Sequence, residues 1–175
     1  MTRILIAYST VDGHTRAISE VLANHLNAAG HQATVIGVPD LDAAALDSFD
    51  KVVVGASIRY GKYRPDLEAF VVNCAAQLNR RPSAFFTVNL VARKPGRDTP
   101  ETNPYVGKIL RKTAWQPKAI AVFAGKLDYP RYRLPDRLII QFIMWLTGGP
   151  TNSTTVQDFT EWASVQEFAR RIARL

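Results

Sequence analysis

Polar and apolar positions change period repeatedly along this chain. Residues 4–8 form a continuous apolar run of strand length, as a strand covered on both faces requires. From 15 to 26 the period becomes helical, with Ala17, Ile18, Val21, Leu22 and Leu26 on one stripe, and Gly30 follows as a stop. The alternation then recurs. Strands are expected at 33–38, 51–55, Ser83–Asn89 and Ala119–Ala124, and helices at 65–78, 104–113 and 159–175. Such alternation builds a parallel sheet with helices on both faces. Five strands predict a doubly wound α/β fold of order 2-1-3-4-5, with its ligand at the switch point beside strands 1 and 3.

One segment breaks the alternation. About 30 residues separate the last strand from the last helix, including LDYPRYRLPDRLIIQFIMWLTGG, and a compact domain seldom carries so long a connection without a use. At helical spacing Trp145, Leu138, Phe142, Leu146, Ile139 and Ile143 cover one broad arc, while Arg133, Arg137 and Gln141 line a narrow polar edge. A helix of about 13 residues is too short to span a bilayer but has the character of one lying in an interface. Its cations would meet anionic lipid while Trp145 and Phe142 enter the acyl boundary. The same arc could instead pack on the domain or on a second subunit. The chain is read as one domain, 1–175, with an insertion at about 126–150.

Composition narrows the picture. Hydrophobic residues at 47% and charged residues at 21% are the balance of a chain with a sizeable core. Cys74 is the only cysteine, which excludes an intrachain disulfide and a cysteine-based metal cluster, and its apolar surroundings point to a buried thiol. The start, MTRILIAYST, lacks the long apolar stretch of a signal peptide, so a cytoplasmic protein is expected. A net charge of +7 favours an acidic partner: a membrane surface or a carboxylate-bearing substrate. Nucleic acid is not expected, because the cations are scattered and no recognition motif appears.

The candidate chemistry lies where strands end. Strand 1 runs into Ser9-Thr10-Val11-Asp12-Gly13-His14-Thr15 and then a helix, so hydroxyls, a glycine and free helix N–H groups converge as a phosphate requires. Neither a Walker loop nor GxGxxG fits, since Gly13 is the only glycine there and no Gly-Lys-Ser/Thr follows. A capped strand-to-helix turn without ligand is the alternative. Asp12, a carboxylate beside a phosphate, is expected to turn away and cap the helix. Strand 3 ends in Gly55-Ala56-Ser57-Ile58-Arg59-Tyr60-Gly61 and strand 4 in Asn89-Leu90-Val91-Ala92-Arg93-Lys94-Pro95. Tyr60 could stack on a ring system and backbone groups of both loops could bond its polar edge.

Residues 4–15 resemble the flavodoxin signature, an apolar strand ending in an aromatic followed by a hydroxyl-rich loop and a Thr. By that resemblance Ser9, Thr10, Gly13, His14 and Thr15 bind the phosphate of flavin mononucleotide (FMN). The stretches VVVGASIRYGKY, TVNLVARKP, RDTPETNPY and AGKLDYPRYRLPDR resemble, more specifically and over nearly the whole chain, the bacterial flavodoxin-like, quinone-dependent protoporphyrinogen oxidases. That resemblance implies FMN held also by Ser57, Ile58, Arg59, Tyr60, Asn89, Leu90, Val91, Ala92 and Gly125. It implies oxidation of protoporphyrinogen IX to protoporphyrin IX in haem synthesis, with menaquinone or ubiquinone re-oxidising the flavin. Six electrons leave the substrate, so three two-electron turns alternate with quinone reduction. It places the protein peripherally on the inner face of the cell membrane, through segment 129–147. Porphyrinogen carries two propionates, for which Arg59, Arg93, Lys94, Arg131 and Arg133 are the candidate cations. No general base is assigned, and whether the protein is a homodimer is left open.

Two other functions compete. Electron-carrier flavodoxins are acidic, against the +7 of this chain. An NAD(P)H:quinone oxidoreductase of the same fold needs a nicotinamide site, and no second phosphate loop is visible.

Overall fold

The structure, a computed structural model, describes all 175 residues. Five parallel strands, β1 (Arg3–Ser9), β2 (Gln32–Gly37), β3 (Lys51–Ser57), β4 (Ser83–Asn89) and β5 (Ala119–Ala124), pair in the order β2-β1-β3-β4-β5. The period-2 alternation of strand side chains divides the core in two. Ile4 and Ile6 of β1, with Val53 and Phe86, meet Ile18, Leu22 and Leu26 of α1 (His14–Ala28) and Val165, Phe168 and Ile172 of the last helix, Trp162–Arg174. Leu5, Val52, Val54 and Phe85 face the other way. They meet Leu67, Phe70 and Val71 of α2 (Pro65–Asn73), Leu78 of α3 (Ala75–Asn79) and Ile109 of α4 (Val106–Lys112).

The expected elements appear, with shifted ends that have local causes. β3 runs two residues past Gly55, which does not end the strand. Its missing side chain makes room for the Phe86 ring across the β3–β4 pair, since a Cβ there would lie 2.1 Å from Phe86 Cζ. The helix expected at 65–78 is two, because Cys74 leaves helical geometry (φ −101°, ψ 7°) while staying buried. α1 stops as expected at Gly30, which takes φ 86° and lets the His31 N–H reach the Leu26 carbonyl.

After β5 the chain leaves the sheet. β6 (Lys126–Asp128) pairs antiparallel with β7 (Val156–Asp158), and α5 (Leu134–Leu146) lies between them. Three-residue strands carry no readable period, so the ribbon was not legible in the sequence. The excursion has its own small core, in which Ile140 and Met144 of α5 pack with Leu127, Tyr129 and Tyr132. α6 (Trp162–Arg174) then closes the chain, its last carbonyls at Ile172 and Ala173 accepting from the Lys51 ammonium.

Candidate cofactor and substrate site

The loops after β1, β3 and β4 converge at the carboxyl ends of the strands. In the first, Gly13 takes φ 86° and its N–H donates to Thr10 Oγ1 at 3.0 Å. That turn aims the start of α1 outward. The N–H groups of Val11, Asp12, His14, Thr15 and Arg16 have no acceptor within the chain, and the buried Thr15 hydroxyl has no partner either. A row of unused donors at a helix N-terminus is suited to an oxyanion. Arg64, from the loop after β3, donates to the Thr10 carbonyl at 3.0 Å and also meets Asp66 at 3.2 Å. The Ser9 hydroxyl donates to the same Asp66 carboxylate from beneath the loop. Neither Arg64 nor Asp66 could be assigned to the site from sequence, because their reach to the loop depends on the parallel pairing of β1 and β3.

His14 opens α1 with its ring half-buried on the edge of Trp162. The Thr160 hydroxyl donates to the Ala124 carbonyl, so it accepts from His14 Nε2–H at 2.7 Å. Burial lowers the His14 pKa below its ordinary value; Asp158, 3.5 Å away, pulls it up, and Lys126 lowers it further.

A cavity of about 220 Å³ opens between these loops and α5. Thr10, Asp12, His14 and Thr15 line it from the first loop, Ser57–Gly61 from the second, and Asn89, Leu90, Val91, Arg93 and Lys94 from the third. Gly125, Lys126, Tyr105 and Tyr132 complete the floor and sides, and α5 supplies an apolar wall of Ile140, Ile143 and Met144 ending at Thr147. A polar recess adjoins it, bounded by Asp12, His14, Lys126, Asp128 and Arg131. Ser57 Oγ, like Thr15 Oγ1, is buried here without a partner.

Two latches hold α5 in place. At its start Arg59 pairs with Asp12 of the first loop and, at 3.5 Å, with Asp136 of α5, while the guanidinium lies over the rings of Tyr60 and Tyr132. The Tyr60 hydroxyl also donates to Asp136. Tyr60 is the only non-glycine residue with positive φ, 50°, a conformation sustained by these contacts. At the other end Arg93 donates to the Leu90 carbonyl and to the carbonyl and hydroxyl of Thr147.

Most of the residues expected at the site surround the cavity, but several stand in other roles. Asp12 does not cap α1; it pairs with Arg59, and the cap position is Gly13. Ser9 and Gly13 shape the loop from behind rather than lining the cavity. Ala92 faces the core beside Val106 and Val122, its N–H held by Asn89 Oδ1. Asn89 is itself occupied by Asn103. Among the cations the sequence offered to propionates, Arg59 pairs with two carboxylates and Arg93 donates to carbonyls, so both brace α5 while lining the cavity. Arg133, exposed just before α5, lines neither cavity. Lys94 and Arg131 line the two cavities, and Lys126, unnoticed in the sequence, lines both.

Comparison with known proteins fits this geometry. Residues 5–154 match the flavodoxin domain family. Over 173 residues the chain is 47% identical to the protoporphyrinogen IX dehydrogenase [quinone] of Escherichia coli strain K12, covering 99% of this chain and 96% of that protein. The chain belongs to this flavodoxin-domain family of protoporphyrinogen IX dehydrogenases. The Leishmania major member is 42% identical over 174 residues, covering 99% of this chain and 75% of its own. Solved flavodoxins share the fold at much lower identity: an archaeal one at 14% with a TM-score of 0.57, covering 98% of this chain and 96% of that one. Flavodoxin 1 of Bacillus cereus follows at 12% and 0.55, covering 99% and 98%.

Proposed function

We propose that this chain oxidises protoporphyrinogen IX to protoporphyrin IX with FMN as cofactor and a membrane quinone as acceptor, in haem synthesis, while seated on the cytoplasmic surface of a membrane. One observation carries the reading: a phosphate loop of unused donors and an apolar helix enclose the same cavity. The donor set fits FMN. The free N–H groups of the first loop and the Thr10 and Thr15 hydroxyls would hold the phosphate, and the Ser57–Tyr60 and Asn89–Val91 backbones the ring edge. When bound, FMN supplies two-electron chemistry, taking electrons from the porphyrinogen and giving them to the quinone in three rounds per porphyrin.

The chain's own residues orient the substrates. Lys126 and Arg131 border the polar recess, and Lys94 lines the main cavity, so a diacid would put its carboxylates there and its apolar macrocycle against α5. Asp128, 3.7 Å from Lys126, positions that ammonium. The outer side of α5 explains the acceptor. Leu138, Phe142, Leu146 and Trp145 are exposed, Trp145 by 68%, and the Phe142 and Trp145 rings stack. A patch this large on a basic protein matches an anionic lipid surface. No helix is long and apolar enough to cross a membrane.

The test is anaerobic formation of fluorescent protoporphyrin by FMN-loaded protein with menaquinone or ubiquinone, against a protein-free control. Quinone-dependent fluorescence above the control is expected. Its absence, with flavin bound and NADPH as an effective reductant, would replace this reading by that of an NAD(P)H:quinone oxidoreductase.

A further inference from the structure

The cavity borders two chemically different surfaces. By the first loop it shares Asp12, His14 and Lys126 with the polar recess of Arg131. Its other border is α5, where two stripes run side by side along the helix. Ile140, Met144 and Thr147 face inward on the cavity, and Ile139, Phe142 and Leu146 face outward. Ile143 belongs to both: it lines the cavity and is 40% exposed. Residues three and four positions apart are neighbours on a helix, so Ile139 and Leu146 flank Ile143 outside, while Ile140 and Thr147 flank it inside. Ile143 is therefore the rim over which the outer apolar face continues into the cavity.

We propose that the quinone enters across this rim: its ring passes Ile143 to rest against Ile140 and Met144, and its isoprenoid tail lies outside along Ile139, Phe142 and Leu146. This rests on the proposed quinone-linked function and goes further by assigning each substrate a side. A neutral, tailed quinone takes the route without a charge, and a dicarboxylate takes the route bordered by Lys126 and Arg131. The inner wall of α5 is apolar and meets a quinone ring without a charge, while Arg93 beside it is engaged by Leu90 and Thr147. The rim is firm. Gly149 passes so close under the helix end that a Cβ there would lie 2.2 Å from Met144 Cε, and the Arg59 and Arg93 latches hold both ends. In the step itself two electrons and two protons leave the reduced cofactor and convert both quinone carbonyls to hydroxyls.

The experiment uses the full-length FMN-loaded protein reduced anaerobically with dithionite, so that porphyrinogen plays no part. Its re-oxidation is followed with a long-tailed menaquinone in anionic vesicles and with a tail-less naphthoquinone in solution. Ile143→Gln places an amide on the apolar route and should slow re-oxidation by the tailed quinone about tenfold, and several-fold less by the tail-less quinone, which can also reach the cavity from its polar side. Trp145→Gln, on the outer face away from the rim, controls for weaker vesicle binding. A slowing that Trp145→Gln shares, equal slowing for both quinones, or no slowing, each overturns the route. A second readout needs no turnover. A photoreactive azidoquinone should label the α5 peptide in the parent and much less in Ile143→Gln; labelling confined to the Lys126–Arg131 side would overturn the assignment. Should the parent fail to make porphyrin while these arms behave as described, the proposed substrate falls and the quinone route stands.

Discussion

Gly55 shows how far a single position reaches. It faces Phe86 across β3 and β4, and the ring occupies the space a side chain would take. Gly55→Ala should cost about 1–3 kcal/mol as overpacking, read as a lower denaturant midpoint, and Phe86→Leu in the same chain should recover most of it. Arg59 is a different case, a cation whose charge is consumed by Asp12 and Asp136. Arg59→Gln leaves both carboxylates without their partner and should cost about 1–3 kcal/mol, with faster amide exchange at the start of α5. Unchanged exchange there would show that the latch does not hold the helix. His14 gives a pH signature. Its pKa is lowered in the folded protein from an ordinary 6.5, so between those values the unfolded chain binds more protons. The stability of the apoprotein should therefore fall as pH drops below about 6.5, and His14→Gln should flatten that fall. An identical pH profile for the variant would contradict the burial argument.

At the scale of elements, α5 works on two faces. Ile140, 7% exposed, and Met144, 1% exposed, anchor it, while its outer face is apolar and uncovered. Removing the helix would destroy that small core, so the informative change is on the surface. Leu138→Ser with Phe142→Ser should weaken binding to anionic vesicles by at least about tenfold, from lost burial of roughly 1.5–3 kcal/mol per side chain, with FMN affinity unchanged. Undiminished co-sedimentation would refute the membrane reading. The alternating strands and helices were legible because β1, β3 and β4 are continuous apolar runs and α1 and α5 keep a helical period. The first loop, with its unused donors, was legible because its residues are consecutive. The cavity's other side was not. Lys126 and Tyr105 join it, and Arg64 braces its first loop, through the sheet order and the β6–β7 ribbon, neither of which leaves a local mark on the sequence. The same holds for two of the cations: Arg59 meets carboxylates, and Arg93 a threonine, brought in from distant segments.

For the whole molecule, charge and shape act together. A net charge of +7 and one large apolar face predict vesicle binding that weakens with salt on anionic lipid and is slight on neutral lipid. Binding indifferent to both salt and lipid charge would make the cations of the excursion irrelevant to attachment. In the proposed reaction porphyrinogen gives its electrons to a flavin held in this cavity. The most direct measurement is an anaerobic titration of FMN-loaded protein with protoporphyrinogen IX, without quinone, following flavin bleaching and porphyrin absorbance together. About three flavins should bleach per porphyrin formed, as six electrons taken two at a time demand. Flavin that stays oxidised while porphyrinogen is present in excess would contradict it.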